Sequence, residues 1–248
     1  MKISDRCYMI SGLSGPEHWV AVSGFITGNA KTLIIDAGMT WLSARTIHGY
    51  AHHTRPDNDL MVAVTEPHFD HIGGNCFFKE QGIDIFSHKD VKRPADLIDL
   101  AKEEMNQAIE NRCRKDAKEA DAFYLNTRIV NPNQAVSAGD RFDLGGTEVE
   151  VVGTPGHTPA NLSYYVPDDR VMYTGDAMVT HYIPNLEAGE VPDWNTWLHS
   201  LDIIENKDPV LIVPGHGDLI RKEDIPFQIE RIRKFLTAAI AAGKAPTQ

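Results

Sequence analysis

The chain has 248 residues, of which 42% are hydrophobic and 24% are charged. This length suits a single domain, and the composition is that of a globular protein and excludes a disordered chain. The formal net charge of -11 would repel the phosphates of a nucleic acid, so nucleic acid is not an expected partner. We expect one domain spanning residues 1–248.

The N-terminal residues contain no apolar run of the kind found in signal peptides, and no segment approaches the apolar length of a membrane span. A cytoplasmic protein with no membrane partner is therefore expected. Cys7, Cys76 and Cys113 are odd in number and far apart, which argues against a disulfide framework and against a cysteine zinc site.

The first third of the chain predicts a hairpin and two strands. Residues 18–36 hold two β-rich segments joined by Gly28 and Asn29, which are a strong turn signal. The apolar runs at 60–66 and 82–88 predict buried strands.

Apolar residues recur at helical spacing among many charges between Pro94 and Ala122. This pattern predicts one or two amphipathic helices, in an insertion around residues 90–125 that could cover a site as a lid.

The second half predicts strands within 141–157, 162–176 and 211–218, each bounded by Gly, Pro or Asp. Residues 193–207 and 225–243 predict helices, the second of which ends before a glycine. The whole chain is predicted to be α+β, in the order strands, helices, strands, helix.

Seven residues with side chains that bind metals follow the predicted strands or lie at their ends. They are Glu66, His68, Asp70, His71, His157, Asp176 and His216. Each alone is typical of an ordinary turn, but their joint occurrence at strand ends favours a metal site.

Alternate residues of an extended segment project to the same side, so Glu66, His68 and Asp70 are expected to share one face. The neighbouring His71 reaches that face only at a turn, which we expect Gly73–Gly74 to supply. The three later residues stand beside glycines that allow a bend exposing the side chain.

The motifs TPGHTPAN, YTGDA and VPGHGD, together with EPHFDH, resemble those of the metallo-β-lactamase superfamily, whose usual first motif is HxHxDH. The resemblance runs from Ser23 to His216. It implies a four-layer αβ/βα sandwich with a metal site at the edge between two sheets.

The resemblance also implies a role for each ligand. Glu66, His68 and His157 would form a first metal site; Asp70, His71 and His216 would form a second; and Asp176 would bridge the two. Two divalent metal ions per chain are expected, with zinc as the first choice and iron and manganese as alternatives.

The chain departs from the family motif at its first position, where Glu66 replaces a histidine. A hard anionic oxygen donor then stands in place of a neutral nitrogen donor. We interpret Glu66 as a ligand; the alternative is a supporting carboxylate, which would leave one dominant metal ion.

Such a centre predicts a hydrolase that uses a metal-bridged hydroxide on a small ester, lactone, thioester or amide substrate. Asp70 is the predicted catalytic residue, as a ligand that orients the hydroxide and receives its proton. Two alternatives remain: a non-haem iron-dependent oxidoreductase on the same fold, and an inactive metal-binding scaffold.

His181 and Tyr182 are candidates for substrate binding, because they follow Asp176 closely. Val179 stands where the family's acyl-homoserine lactonases have a tyrosine, and the C-terminal tail lacks the basic cluster that the family associates with glutathione thioesters. A small-molecule substrate is expected, and a homodimer is an open alternative to a monomer.

Three further residues have structural interpretations. Trp194 and Trp197, three apart on a predicted helix, are expected in the core. Asp36, at the end of a strand, is expected to cap a turn or support the ligands rather than bind metal.

Overall fold

The computed structural model describes residues 1–13, 21–112, 118–186 and 188–245. Within these ranges the strands form two six-stranded sheets. The predicted segments at 18–20 and 113–117, and with them Cys113, lie outside the described residues.

The first sheet contains the strands of the N-terminal half in sequence order. They are β1 (Cys7–Ile10), β2 (Ser23–Thr27), β3 (Lys31–Ile35), β4 (Asp59–Ala63), β5 (Ile85–Ser87) and β6 (Gln134–Ala135). The pairs β1–β2 and β2–β3 are antiparallel, whereas β3 to β6 run parallel. Parallel strands deliver their C-terminal ends to one edge of the sheet.

The second sheet has the order β12-β11-β10-β9-β8-β7. Its strands are β7 (Arg141–Asp143), β8 (Glu148–Gly153), β9 (Leu162–Val166), β10 (Val171–Val179), β11 (Leu211–His216) and β12 (Ile220–Arg221). Neighbouring strands are antiparallel, except that β10 and β11 are parallel.

Helices cover the outer faces of both sheets. The helices of the described residues are α1 (Trp41–Thr54), α2 (Phe69–Ile72), α3 (Asn75–Glu80), α4 (Leu97–Arg112), α5 (Glu119–Phe123), α6 (Val191–Asn206) and α7 (Ile225–Ala242), and α1, α3, α6 and α7 are the ones that cover the sheets. One cluster of buried residues joins the first sheet to α1 and α3, and another joins the second sheet to α6 and α7.

A third cluster fills the space between the sheets, with Leu33 and Ile35 on one side and Val149 and Val151 on the other. Burying each such side chain contributes about 1.5–3 kcal/mol. The hydroxyl of the buried Tyr164 crosses this layer and donates a hydrogen bond to the carbonyl of Val64. The layers therefore run helix, sheet, sheet, helix, as the predicted sandwich requires.

Most predicted elements are present, with shifted bounds. The strand predicted at 60–66 ends at Ala63, and β10 continues to Val179 instead of stopping at Asp176. Trp194 and Trp197 are buried, as expected. None of the helices in the described part of the chain is long and apolar enough to cross a membrane.

The insertion around 90–125 contains α4 and α5, which contact each other. Ala120 and Tyr124 of this segment pack against Phe69 and Met39. Its predicted role as a lid stays a prediction, but its contact with Phe69 places it beside the residues of the EPHFDH motif.

Candidate metal centre

Residues 64–66 follow β4 directly and carry the buried Glu66 to the sheet edge. His68, the residue that precedes α2, still has an extended backbone conformation. Asp70 and His71 then lie in the short helix α2, so the prediction of one continuous extended face was wrong beyond His68. A helical turn brings Asp70 and His71 to the centre because it reverses the chain over few residues.

Gly73 and Gly74 do not act through unusual backbone angles, since both have ordinary right-handed helical φ values. A Cβ on Gly73 would overlap the carbonyl of Met39, and one on Gly74 would overlap that of Ala37. The two glycines are therefore needed for the close approach of α2 to the loop after β3.

The later candidates rely on glycines with left-handed φ. Gly156, with φ 146, precedes His157, and Gly175, with φ 52, precedes Asp176. Asp176 lies inside β10, where the pairing with β11 shifts register, rather than after a strand end. These irregularities turn buried side chains toward the sheet edge.

Replacing Gly156 by alanine is expected to lower the free energy of unfolding of the protein. The new Cβ would overlap the backbone and side chain of Trp197 in α6, and φ 146 disfavours any L side chain. We expect a loss of about 1–3 kcal/mol, measured by urea denaturation. Gly49→Ala, at an open position in α1, is the matched control; equal stability of both variants would contradict this account.

All seven predicted ligands meet at this edge in two groups. Within each group, the potential ligand atoms lie within 4.8 Å of one another. The first group is Glu66, His68, His157 and Asp176, and the second is Asp70, His71 and His216. Every side chain except those of His68 and His216 belongs to a buried residue.

Asp176 faces both groups. Its Oδ2 lies 3.3 Å from Nε2 of His157, and its Oδ1 lies 3.2 Å from Nε2 of His71 and 3.4 Å from Nε2 of His216. Donor atoms around a tetrahedral zinc ion are roughly 3.3 Å apart, given bond lengths of about 2.0–2.1 Å. The observed spacings fit a bound cation.

Glu66 is turned into the same space. Its Oε2 lies 2.9 Å from Nδ1 of His68, and its Oε1 lies 3.4 Å from Nε2 of His71. Its Oε1 also accepts a hydrogen bond from the backbone N–H of His68. This position suits a ligand, and the ligand role of Glu66 stays a prediction.

Three buried atoms at the centre lack a hydrogen-bond partner within the described residues. They are Oε2 of Glu66, Nε2 of His71 and Oδ1 of Asp176. Unpaired buried polar atoms are costly and rare, which indicates a missing partner. Lone pairs of carboxylate and imidazole pointing at one another suit a divalent cation, so the residues fit the metal that the motif implies.

Two histidines are oriented from outside the centre. Nδ1 of His71 lies 2.9 Å from Oδ2 of Asp36, and Nδ1 of His157 donates to the carbonyl of Asn185. Each Nε2 is then left to face the centre. Asp36 also accepts hydrogen bonds from the N–H and hydroxyl of Thr65, so it supports His71 as expected.

In the metal-free centre, burial and the neighbouring charges shift the pKa values of the side chains in opposite directions. Burial alone would lower the pKa of His71 and of His216, but the surrounding carboxylates raise both well above the usual value. Burial lowers the pKa of His157. For Asp70, burial acts upward, but the charge of His71 and the hydrogen bond from His216 hold its pKa down at about 2.

Adding zinc to the metal-free protein near pH 7 is expected to release protons. His71 and His216 keep their protons above the ordinary histidine pKa, and a ligand must lose its proton to bind. Apparent zinc affinity should therefore rise with pH. Calorimetry in two buffers of different ionisation enthalpy measures the release, and equal heats in both buffers would contradict the expectation.

The two candidate substrate residues occupy different places. The ring of Tyr182 lies 6.1 Å from that of His216. His181 has a left-handed φ of 61, and its exposed side chain pairs with Asp218. Tyr182 is therefore beside the centre, whereas His181 faces solvent.

Sequence reasoning missed several supporting residues. Thr65 holds Asp36, and Arg231 of α7 donates to the carbonyls of Val179 and Tyr182 below the loop after β10. Arg231 had no local signal, because its partners lie on another element. Thr65, by contrast, directly precedes the predicted ligand Glu66 in the sequence.

A family model described as the metallo-beta-lactamase superfamily matches residues 18–216. The chain therefore belongs to the metallo-β-lactamase superfamily. This confirms the predicted family and sandwich fold, and it confirms the prediction of a metallo-hydrolase at the level of the superfamily.

Curated relatives match this chain in sequence over part of its length. A hydroxyacylglutathione hydrolase of Ruegeria pomeroyi is 35% identical over 98 residues, 40% of this chain and 36% of that enzyme. One from Brucella ovis is 43% identical over 75 residues, 30% of this chain and 28% of that enzyme. The matched region thus spans about a third of these curated relatives.

Solved structures match over nearly the whole chain. A metallo-beta-lactamase family protein from Thermus thermophilus has a TM-score of 0.70 at 19% identity, covering 95% of this chain and 81% of that one. A metallo-beta-lactamase from Pontibacter korlensis has a TM-score of 0.69 at 14% identity, covering 94% and 97%. These likenesses show the fold.

Proposed function

We propose that the protein is a hydrolase that holds two divalent metal ions and acts on a small acyl substrate. Zinc is the preferred choice of metal. The observation that carries this proposal is the convergence of seven His, Asp and Glu side chains with unpaired buried atoms on one sheet edge. Loaded with metal, such a centre polarises a carbonyl oxygen and makes water acidic enough to attack near neutral pH.

Each residue has a proposed task. Glu66, His68 and His157 hold one ion, while Asp70, His71 and His216 hold the other, and Asp176 faces both. Asp70 is the proposed catalytic residue: as a carboxylate of the centre it can accept a hydrogen bond from the attacking water and take up its proton. His71 and His157 are held in the required orientation by Asp36 and Asn185.

Among ester, lactone, thioester and amide substrates, we place thioesters first. The support is the name of the partial relatives, hydroxyacylglutathione hydrolase. The glutathione part is not carried over, because most of the length of those enzymes is unmatched. The relatives give no support to the iron-dependent oxidoreductase alternative.

Elemental analysis of the purified protein combined with a hydrolysis panel tests the proposal. We expect two equivalents of divalent metal per chain and hydrolysis of thioesters or esters that continues without oxygen. Chelation should abolish turnover and added zinc should restore it. A fully loaded protein that hydrolyses no acyl substrate, or one that consumes oxygen during turnover, would refute the proposal.

A further inference from the structure

The insertion around 90–125 brings two side chains with free hydrogen-bond donors to the residues that flank His68. One is the guanidinium of Arg93, which precedes α4, and the other is the hydroxyl of Tyr124, which follows α5. His68 has the most exposed side chain of the predicted ligands, at 25%, so it marks the open side of the centre.

Three hydrogen bonds hold Arg93 at this position. Its Nε donates to the carbonyl of Pro67, the residue before His68, at 2.8 Å. Its backbone exchanges two hydrogen bonds with the side chain of Asn131, which ties the two ends of the insertion together. Within the described residues, Nη1 and Nη2 have no partner, so a fork of two charged donors is left for a ligand.

Tyr124 is 3% exposed, and its ring packs edge-on against that of Phe69, the residue after His68. Its hydroxyl makes no hydrogen bond with any described residue. The hydroxyl is not among the fully buried atoms that lack a partner, so it is open to solvent and can donate to a ligand. Burial and the charges of Glu104 and Asp70 raise its pKa, which keeps the hydroxyl protonated as a donor.

Resting on the proposed function, we infer that Arg93 and Tyr124 bind the substrate and that the preferred acyl substrate carries a carboxylate. A planar carboxylate matches the fork of Nη1 and Nη2. A protein of formal charge -11 repels anions on average, so an anionic substrate needs a fixed local cation. Tyr124, whose ring contacts the residue after His68, supplies a neutral donor.

A pair of substrates that differ only in charge tests Arg93. The adipate half-ester and the hexanoate ester of one phenol have the same chain length. For Arg93→Gln we expect KM for the half-ester to rise by about tenfold or more, while KM for the neutral ester changes by less than about twofold. Arg93→Lys should recover part of the loss. Arg128→Gln, at an exposed arginine paired with Glu80, is the control and should change neither.

Equal effects on the two esters, or no effect, would overturn the role of Arg93. The thioester and ester panel decides the proposed function; if the wild-type protein hydrolyses neither of these two esters, calorimetry with adipate decides the inference separately. Binding of adipate by the wild type and not by Arg93→Gln supports recognition by Arg93; equal binding by both overturns it.

Tyr124→Phe removes the unpaired hydroxyl and keeps the ring. We expect kcat/KM to fall by about five- to tenfold for both esters, with the melting temperature unchanged, because no protein hydrogen bond is lost. Tyr50→Phe, at an exposed tyrosine of α1, is the control. Unchanged kcat/KM, or a fall matched by a lower melting temperature, would overturn a substrate contact.

Discussion

Asp176→Asn is expected to lose metal and to reduce kcat/KM by at least about a hundredfold. Asp176 faces His157 with one oxygen and both His71 and His216 with the other, so its carboxylate contacts both groups. Asparagine keeps the shape and removes the charge. Changes to residues that only support a ligand typically cost 10–100-fold, and loss of a direct contact should cost at least as much.

Metal content per chain and steady-state kinetics measure this effect together. We expect less than two equivalents of metal in the variant, and activity that excess zinc only partly restores. Asp202→Asn is the matched control, because Asp202 is exposed on α6 and pairs with Arg233. A variant that keeps both metal equivalents and full activity would remove Asp176 from the centre.

The seven candidates could be named from the sequence because each stands beside a local signal. A β-rich or apolar run marked most of the strands, and a following glycine or polar cluster marked their ends. Convergence then follows from topology, since the ends of parallel strands meet at one edge. What the pattern missed was local geometry: Asp70 and His71 lie in a helical turn, and Asp176 lies within β10.

Helix α1 had no usable signal. Its buried residues include Ala44, Ile47 and Ala51, two of which are too small to give a strong apolar stripe. Thr40 and Ser43 form a capping box at its start, but with serine in place of the usual Glu or Gln. Packing against the first sheet, rather than local preference, therefore determines this helix.

Contacts that orient the ligands depend on residues far apart in sequence. Asp36 and His71 are 35 positions apart and meet only after β3 and β4 pair. The partner of His157 is a backbone carbonyl, at Asn185, which has no side-chain signature. The same holds for the insertion: the sequence showed its helical periodicity but not its packing against Phe69.

Glu66→His is expected to move the acidic limb of the pH dependence of kcat/KM to lower pH, by roughly one unit. Replacing a carboxylate by a neutral imidazole raises the net positive charge of the loaded centre. The attacking water should then lose its proton more readily, so activity persists further into the acidic range. The wild-type limb should accordingly lie at the higher pH.

The same variant separates the two interpretations of Glu66. As a ligand, Glu66 contributes an oxygen to the first group, so histidine restores the usual nitrogen donor and both metal equivalents are retained. As a support, it holds the backbone N–H of His68, and histidine would break that hydrogen bond and weaken the first site. Glu66→Gln is the control, because it keeps the length and the N–H contact while removing the charge. Two retained metal equivalents with an acidic limb at lower pH support ligation, whereas a limb at the wild-type position or above it, with metal lost from the histidine variant alone, would make Glu66 a support of His68.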